Sequence, residues 1–239
     1  MTQPVTPVEF LALCSVEPSV FELRPDYRAM LVIVDGLRPS ASTSKTEDLL
    51  IAAEQHARYL LASSRLEELP HIAAWRETYR AFGAKPQRTR NSLEALTRRA
   101  EHELSRVNAL TDTYNAISVL HQIPFGGEDF SLYNGPATLL RATGEEVFDA
   151  VADGAVKLEH PDPGEVVWCN DDGVTCRRWN WRQGRRTGLS DQTRTALFIL
   201  DALGPVSDDE IETAVDALEH ELSRLSEVTV HRRLIRAGA

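Results

Sequence analysis

The run Arg28–Val34 reads Arg-Ala-Met-Leu-Val-Ile-Val and closes on Asp35-Gly36. It is continuously apolar after its first residue and rich in β-branched side chains. With no polar alternation it leaves no face for water, so it reads as a buried strand bounded by a turn. A strand of that kind needs cover on both sides, which makes the chain a layered protein before any other element is placed. At 239 residues there is enough chain to supply the layers without disulfide or metal staples.

The remaining elements alternate irregularly. Ser44-Lys45-Thr46-Glu47 has capping-box form, and Leu49, Leu50, Ala53, Ala57, Leu60 and Leu61 follow at helical spacing, predicting a helix over about 45–63. Pro70 opens a second helix that stops at Gly83, with Pro86 beyond. Helices are also expected over 89–104, over 112–120 and from Ser207-Asp208-Asp209-Glu210 to about Leu225. Strands are expected at 137–141 and 195–203, with a hairpin joining 165–169 to 174–179. Residues 1–27, punctuated by Pro4, Pro7, Pro18 and Pro25, read as irregular, and Gly126-Gly127-Glu128-Asp129 as a loop. This is an α/β or α+β layered domain, not a bundle and not a regular doubly wound sheet. A soft boundary near 64–70 divides it into an N-terminal strand–helix unit, 1–70, and a main body, 71–239.

No apolar run approaches the roughly 18 residues of a membrane span, and the N-terminus has no basic stretch of the secretory type. A cytoplasmic protein without membrane contact is expected. If Asp172-Gly173 forms a two-residue hairpin turn, Cys169 and Cys176 face each other across the hairpin. Three sparse cysteines still argue against a disulfide framework, and their spacing fits no zinc knuckle. No metal or other cofactor is expected.

Net charge is −10, with an isoelectric point near 5.2, which disfavours indiscriminate nucleic-acid binding. The charge is nonetheless polarised. Segment 76–106 holds Arg76, Arg80, Lys85, Arg88, Arg90, Arg98, Arg99 and Arg106, and segment 176–194 holds Arg177, Arg178, Arg182, Arg185, Arg186 and Arg194. Arginine outnumbers lysine in both, which suits bidentate phosphate contact. In the second segment arginines interleave with Trp179 and Trp181, aromatics able to stack on a base or an acyl group. For the first, a solvated face balanced by Glu77, Glu94, Glu101 and Glu103 stands equally beside phosphate contact.

The catalytic motifs of several common enzyme classes are missing. There is no G-x-S-x-G elbow and no G-x-x-x-x-G-K-S/T phosphate loop. The seven histidines are scattered without an H-x-x-x-H pair and read as structural or solvated. Gly126-Gly127-Glu128-Asp129-Phe130 looks like a cyclic-dinucleotide synthase signature, but a proline-terminated helix precedes it and the upstream metal-binding aspartate is not evident. Three segments mix aromatic and polar residues beyond what packing needs: Trp75 to Pro86, Thr111 to Ser118 with Pro124 and Asp129 beyond, and Cys176 to Arg182. Tyr114 and Asn115 lie near a helix N-terminus, where backbone N–H groups favour an anionic or carbonyl ligand. The bland alternative makes Asp112 an N-cap and Asn115 a loop-satisfying residue.

Taken together, these segments resemble the B3/B4 editing domain of the phenylalanyl-tRNA synthetase β subunit. Asp112-Thr113-Tyr114-Asn115, then Pro124 and Asp129, is similar to that domain's V-D-V-T-N…P…D pattern, and Gly83-Ala84-Lys85-Pro86 with the helix after Arg88 follows its order. Trp75-Arg76 and Trp179-Asn180-Trp181-Arg182 look like the stand-alone B3/B4-domain proteins of bacteria. The resemblance covers Trp75 to about Asp201. It implies a three-layer fold with a β-sandwich of unusual topology flanked by helices. It also implies a deacylase acting in trans on a mischarged aminoacyl-tRNA, with no amino-acid activation. The family's Thr-Asn pair falls on Tyr114-Asn115, its pocket histidine on Gly126, and its glycine-rich wall near Trp179-Asn180-Trp181; Glu128 is offered for its pocket glutamate. In the synthetase this domain hydrolyses tyrosine wrongly attached to the phenylalanine tRNA; these departures imply a reshaped pocket and leave that specificity open. Asn115 and Asn180 are then the expected catalytic anchors. Tyr114, Gly126, Glu128, Trp179 and Trp181 are expected around the substrate. Arg88, Arg90, Arg177, Arg178 and Arg182 are expected at the tRNA acceptor end, with no DNA partner. Two other readings stay open: a non-catalytic tRNA- or RNA-binding module, and a binding protein for an amino acid or small metabolite.

Overall fold

The computed structural model describes residues 6–152 and 155–238. Two short helices, α1 (Pro7–Leu13) and α2 (Pro18–Leu23), flank a two-residue strand, β1 (Ser15–Val16). The long strand β2 (Arg28–Asp35) follows, then the helices α3 (Ser44–Leu61), α4 (Pro70–Ala81), α5 (Ser92–Ala100) and α6 (Ala109–His121). Next come β3 (Phe125–Asp129), β4 (Thr138–Arg141), β5 (Phe148–Ala152), β6 (Ala155–Glu159), β7 (Val166–Asn170), β8 (Gly173–Arg177), β9 (Arg182–Gln183) and β10 (Thr195–Ala202). The chain ends on α7 (Asp208–Ser223) and β11 (Thr229–Arg236).

Two sheets face each other. One runs β1-β4-β7-β8-β9 and the other β11-β2-β10-β3. Strand alternation sorts the side chains cleanly. From β2, Ala29, Leu31 and Ile33 join Leu197 and Ile199 of β10 and Val166 and Trp168 of β7 in the core between the sheets. Met30, Val32 and Val34, with Ala196, Phe198 and Leu200, face the other way into a second core closed by α6 and α7. A third cluster joins α3, α5 and α6. On the far side, Phe148 and Ala150 of the β5–β6 hairpin pack on Val167 and Cys169 of β7. The fold is therefore α+β: a β-sandwich with helices over one face. No helix among the described residues is long and apolar enough to cross a membrane.

Several expectations need correction. Residues 6–27 are not irregular, because Pro7 and Pro18 occupy first-turn positions where a helix tolerates proline, and Thr6 with Glu9 closes a capping box before α1; residues 1–5, with Pro4, lie outside the described residues. The box expected at Ser44 forms one residue earlier, with Thr43 and Thr46. The cap of α6 is Asn108, not Asp112, which is buried and accepts from Val107 N–H at 2.8 Å. Gly126–Asp129 is not a loop: it is most of β3 and pairs antiparallel with β10. The turn of the β7–β8 hairpin is Asp171-Asp172, since Asn170 pairs with Gly173, and a bulge between Trp168 and Cys169 sets Cys176 opposite Trp168. Cys176 thus packs between the sheets and Cys169 on the outer face, and both are free thiols. Within the region expected as an N-terminal unit, β2 lies inside its sheet, hydrogen-bonded to β11 on one side and β10 on the other.

Candidate functional site

Asp201 ends the apolar run of β10, in register with the inward residues Leu197 and Ile199. Alternation therefore aims its carboxyl between the sheets. Pairing of β10 with β3 sets Gly126 opposite Ile199 and Glu128 opposite Leu197, so both share that inward face. β3 is one edge of its sheet and β9 the corresponding edge of the other. Between these edges lies a cavity of about 100 Å³. Phe125, Gly126, Glu128, Ile199 and Asp201 form one wall, and Trp168, Cys176, Trp179, Asn180 and Trp181 form another, with Ser92, Arg182 and Gln183 at its margin.

The second wall depends on an unusual turn. After β8, Arg178 (φ 47°) and Trp179 (φ 67°) are consecutive non-glycine residues in the left-handed region. Arg177 anchors them from inside: its guanidinium bonds Glu165 through Nε at 2.9 Å and Nη2 at 2.8 Å, and Glu159 through Nη1 at 3.0 Å. The Arg178 N–H donates to Glu165 Oε1 at 3.1 Å and the Trp179 N–H to the Val166 carbonyl at 2.6 Å. Trp179 is driven fully inside, edge-on to Tyr27 at 4.8 Å and to Trp75 at 5.3 Å.

A polar chain lies beside that indole. The Tyr79 hydroxyl donates to Asn180 Oδ1 at 2.9 Å, Asn180 Nδ2 to Asp201 Oδ2 at 3.2 Å, and the Tyr27 hydroxyl to Asp201 Oδ1 at 2.5 Å. Burial pushes the Asp201 carboxyl up to about 7, against the lowering effect of those donors. Burial likewise pushes Glu128 up to about 7, although the Tyr133 hydroxyl donates to its Oε2. Two carboxyl groups that can hold or release a proton near neutrality thus line one cavity. The Cys176 thiol beside them is raised well above its usual range by burial, which removes it as a nucleophile. His71 is structural: Nε2 accepts from the Trp75 indole and the Leu203 N–H, both at 3.1 Å, and burial lowers its pKa to about 4.

Next to the cavity runs an open groove. Phe82 to Lys85, Arg88 and Thr89 form one side and Asp162, Pro163, Glu165 and Arg178 the other. Arg178 joins the two spaces. Its Nη1 donates to Thr89 Oγ1 at 2.6 Å, while its guanidinium lies 4.6 Å from the ring centre of Trp181.

The expected site residues therefore divide. Gly126, Glu128, Trp179, Asn180, Trp181 and Arg182 meet at the cavity, and Arg88 and Arg178 at the groove. Arg90 lies 3.6 Å from Glu94. Arg177 is buried, its donors committed to two glutamates, so it holds the turn and offers nothing to a phosphate. Arg182 lies 3.8 Å from Glu159 and over the Phe148 ring. Tyr114 and Asn115 are not brought to the cavity, since α6 sits on the opposite face of the β2–β10 sheet and Tyr114 packs against Phe198. Asp201, Trp168 and Gln183 were missed. A lone carboxylate at an inward position of an otherwise apolar strand was the available signal for Asp201.

Residues 74–234 match the family model of the B3/4 domain. The chain belongs to the B3/4 domain family. None of the curated proteins matches it. Among solved structures, this B3/4 protein is similar to an N-terminal fragment of the phenylalanyl-tRNA synthetase β-subunit from Pyrococcus horikoshii. The TM-score is 0.46 and the identity 10% over 92% of this chain. The B3/4 protein spans about half of that fragment, 53%.

Proposed function

We propose that this B3/4 protein is a trans-acting aminoacyl-tRNA deacylase, with the acyl group in the inter-sheet cavity and the tRNA acceptor end along the groove. The observation that carries the reading is the pair of buried carboxyl groups, Glu128 and Asp201, poised near neutrality in a cavity that adjoins a groove holding Lys85, Arg88 and Arg178, the last of them paired with Asp162 and Glu165. Hydrolysis of the ester needs a water that loses a proton as it attacks the carbonyl carbon. The bond to the ribose oxygen then breaks, the ribose hydroxyl regains a proton, and the amino acid leaves as the free acid. A base with a pKa near the working pH suits the first step. Glu128, on the edge strand β3, is taken as that base; both Asp201 oxygens accept hydrogen bonds, from Tyr27 and Asn180. Asn180 and Asp201 position the substrate, and Lys85, Arg88 and Arg178 face its phosphates.

The test is a deacylation screen over mischarged tRNAs with the full chain and three variants. Glu128→Gln slows turnover by about 100-fold or more with tRNA affinity unchanged. Asn180→Ala slows it as well. Asn115→Ala leaves it unchanged, because that residue lies across the sheet. A protein that leaves every charged tRNA intact in stoichiometric excess refutes the reading. Retained tRNA binding in that case would favour the non-catalytic module, which needs the groove alone.

A further inference from the structure

We infer that the groove reads bases as well as binding phosphate: it takes the end of a single strand whose bases carry an exocyclic amine, cytosine or adenine, and discriminates against uracil. This rests on the reading above that the groove takes the acceptor end. The observation behind it is a carboxylate that phosphate binding does not explain. Asp162 and Glu165 both line a groove that also holds Lys85, Arg88 and Arg178. Glu165 is accounted for: it is buried and accepts from the Arg177 guanidinium and the Arg178 N–H. Asp162 is not. Its side chain is 82% exposed, and its ion-pair contact with Arg178 Nη2 is a loose 3.8 Å. Toward the phosphates of a polyanion alone, such a group only repels.

Asp162 is also firmly presented. Pro163 restricts the backbone of the residue before it. The Glu165 N–H closes the turn on the Asp162 carbonyl at 2.9 Å, and the Gly164 N–H ties it to the Ala142 carbonyl at 2.7 Å. Phe82 stands on the other side of the groove. Its ring packs on Tyr79 at 5.3 Å and Trp179 at 6.3 Å, yet it is only partly buried. An aromatic ring fixed from behind and open to a groove is a platform on which a base can stack. The groove holds about 440 Å³, which lies in the range of about 300 to 1,000 Å³ usual for small-molecule sites. A base seated there meets Asp162 along its edge. The exocyclic amine of cytosine or adenine donates to a carboxylate. Uracil offers one ring N–H between two carbonyl oxygens, and those oxygens meet the carboxylate with like charge. The 3′ end of a tRNA reads C-C-A, and each of its bases carries the amine.

The experiment measures binding of the full chain to two 5′-labelled RNA nonamers by fluorescence anisotropy. One ends in CCA and the other in UUU, and both are otherwise oligo-U. The CCA strand is expected to bind about tenfold tighter or more. Asp162→Ala changes an exposed side chain and leaves the backbone bonds of the turn in place. It is expected to abolish the preference, weakening the CCA strand and tightening the UUU strand. Phe82→Leu, which keeps an apolar contact with the core, is expected to weaken both strands about fivefold or more. Equal binding of the two strands by the wild type overturns the inference, and so does failure to bind either. If Asp162→Ala tightens both alike, the carboxylate only repels phosphate and the inference falls. If Phe82→Leu changes neither affinity, the bases do not lie in the groove. Deacylation assayed in parallel separates this inference from the reading it rests on. Base preference without hydrolysis leaves the groove assignment standing and sinks the deacylase; hydrolysis without base preference does the reverse.

Discussion

Replacing Glu128 with glutamine removes a titrating carboxyl from a fully enclosed position while keeping its shape and its acceptor for Tyr133. Burial raises this group from 4.5 to about 7. The folded protein therefore holds the proton more tightly than the unfolded chain does. Stability from this group is fully present below the unfolded pKa and is lost as pH rises through the folded one. That rise, at about 1.4 kcal/mol for each pH unit, makes the full effect about 3 to 4 kcal/mol. Asp201, raised from 3.8 to about 7, acts in the same direction. His71, lowered from 6.5 to about 4, acts in the opposite one, since it costs stability as pH falls through that range. The wild-type curve sums all three, so the informative quantity is the difference between Glu128→Gln and wild type. Urea unfolding followed by tryptophan fluorescence measures it. From about pH 5 to about pH 8 the variant should gain about 2 to 3 kcal/mol relative to wild type, and at high pH it should be the more stable protein. Parallel curves over that range would mean that Glu128 ionises as freely in the fold as in water. The desolvation argument, and the acid–base role built on it, would then fail.

Two further outcomes test the groove and the hairpin. Lys85→Ala and Arg88→Ala should weaken tRNA binding about equally across sequences and flatten the dependence of log affinity on log salt by about 0.7 to 0.9 per lost phosphate contact, read by filter binding across a salt series. Gly173→Ala should cost roughly 2 kcal/mol or more in chemical denaturation, because φ is +120° there and the new Cβ would overlap the Val147 carbonyl oxygen.

The parts of the fold that were legible in the sequence are those whose pattern is local. The β2 run, the spacing of α3 and the Ser207–Glu210 box each declare themselves within a few residues, and each is present. What was missed depends on partners distant in the chain. β11 reads Thr-Val-His-Arg-Arg-Leu-Ile-Arg, whose charges suit an edge strand and hide a pairing with all eight residues of β2. Gly126-Gly127 reads as a loop because glycine weakens a strand, yet here β10 supplies the partner. In the site, the aromatic block at 179–181 was visible because its composition exceeds what packing needs. Tyr114 and Asn115 were misplaced because motif order does not say which face of a sheet a helix covers.

The left-handed pair at Arg178 and Trp179 explains how one short segment serves both spaces. In a regular strand, residues 178 and 180 would share one face and 179 would take the other. The site needs a different sorting: Trp179 and Asn180 both inside, Arg178 outside over the groove. Two residues at positive φ produce it, at a cost of about 1 to 2 kcal/mol each. The interior supplies the compensation through the Arg177–Glu165 pair, the Trp179 N–H bond to Val166 and burial of a whole indole. Arg177 thus acts on the cavity without touching it. Glu165 also accepts the Arg178 N–H, so the ion pair and the turn share one carboxylate. A guanidinium over Trp181 and an amide on Asp201 are then fixed within three residues of each other. On the proposed deacylase reading, this coupling ties contact with the acceptor end in the groove to the position of Asn180 against the buried carboxyl.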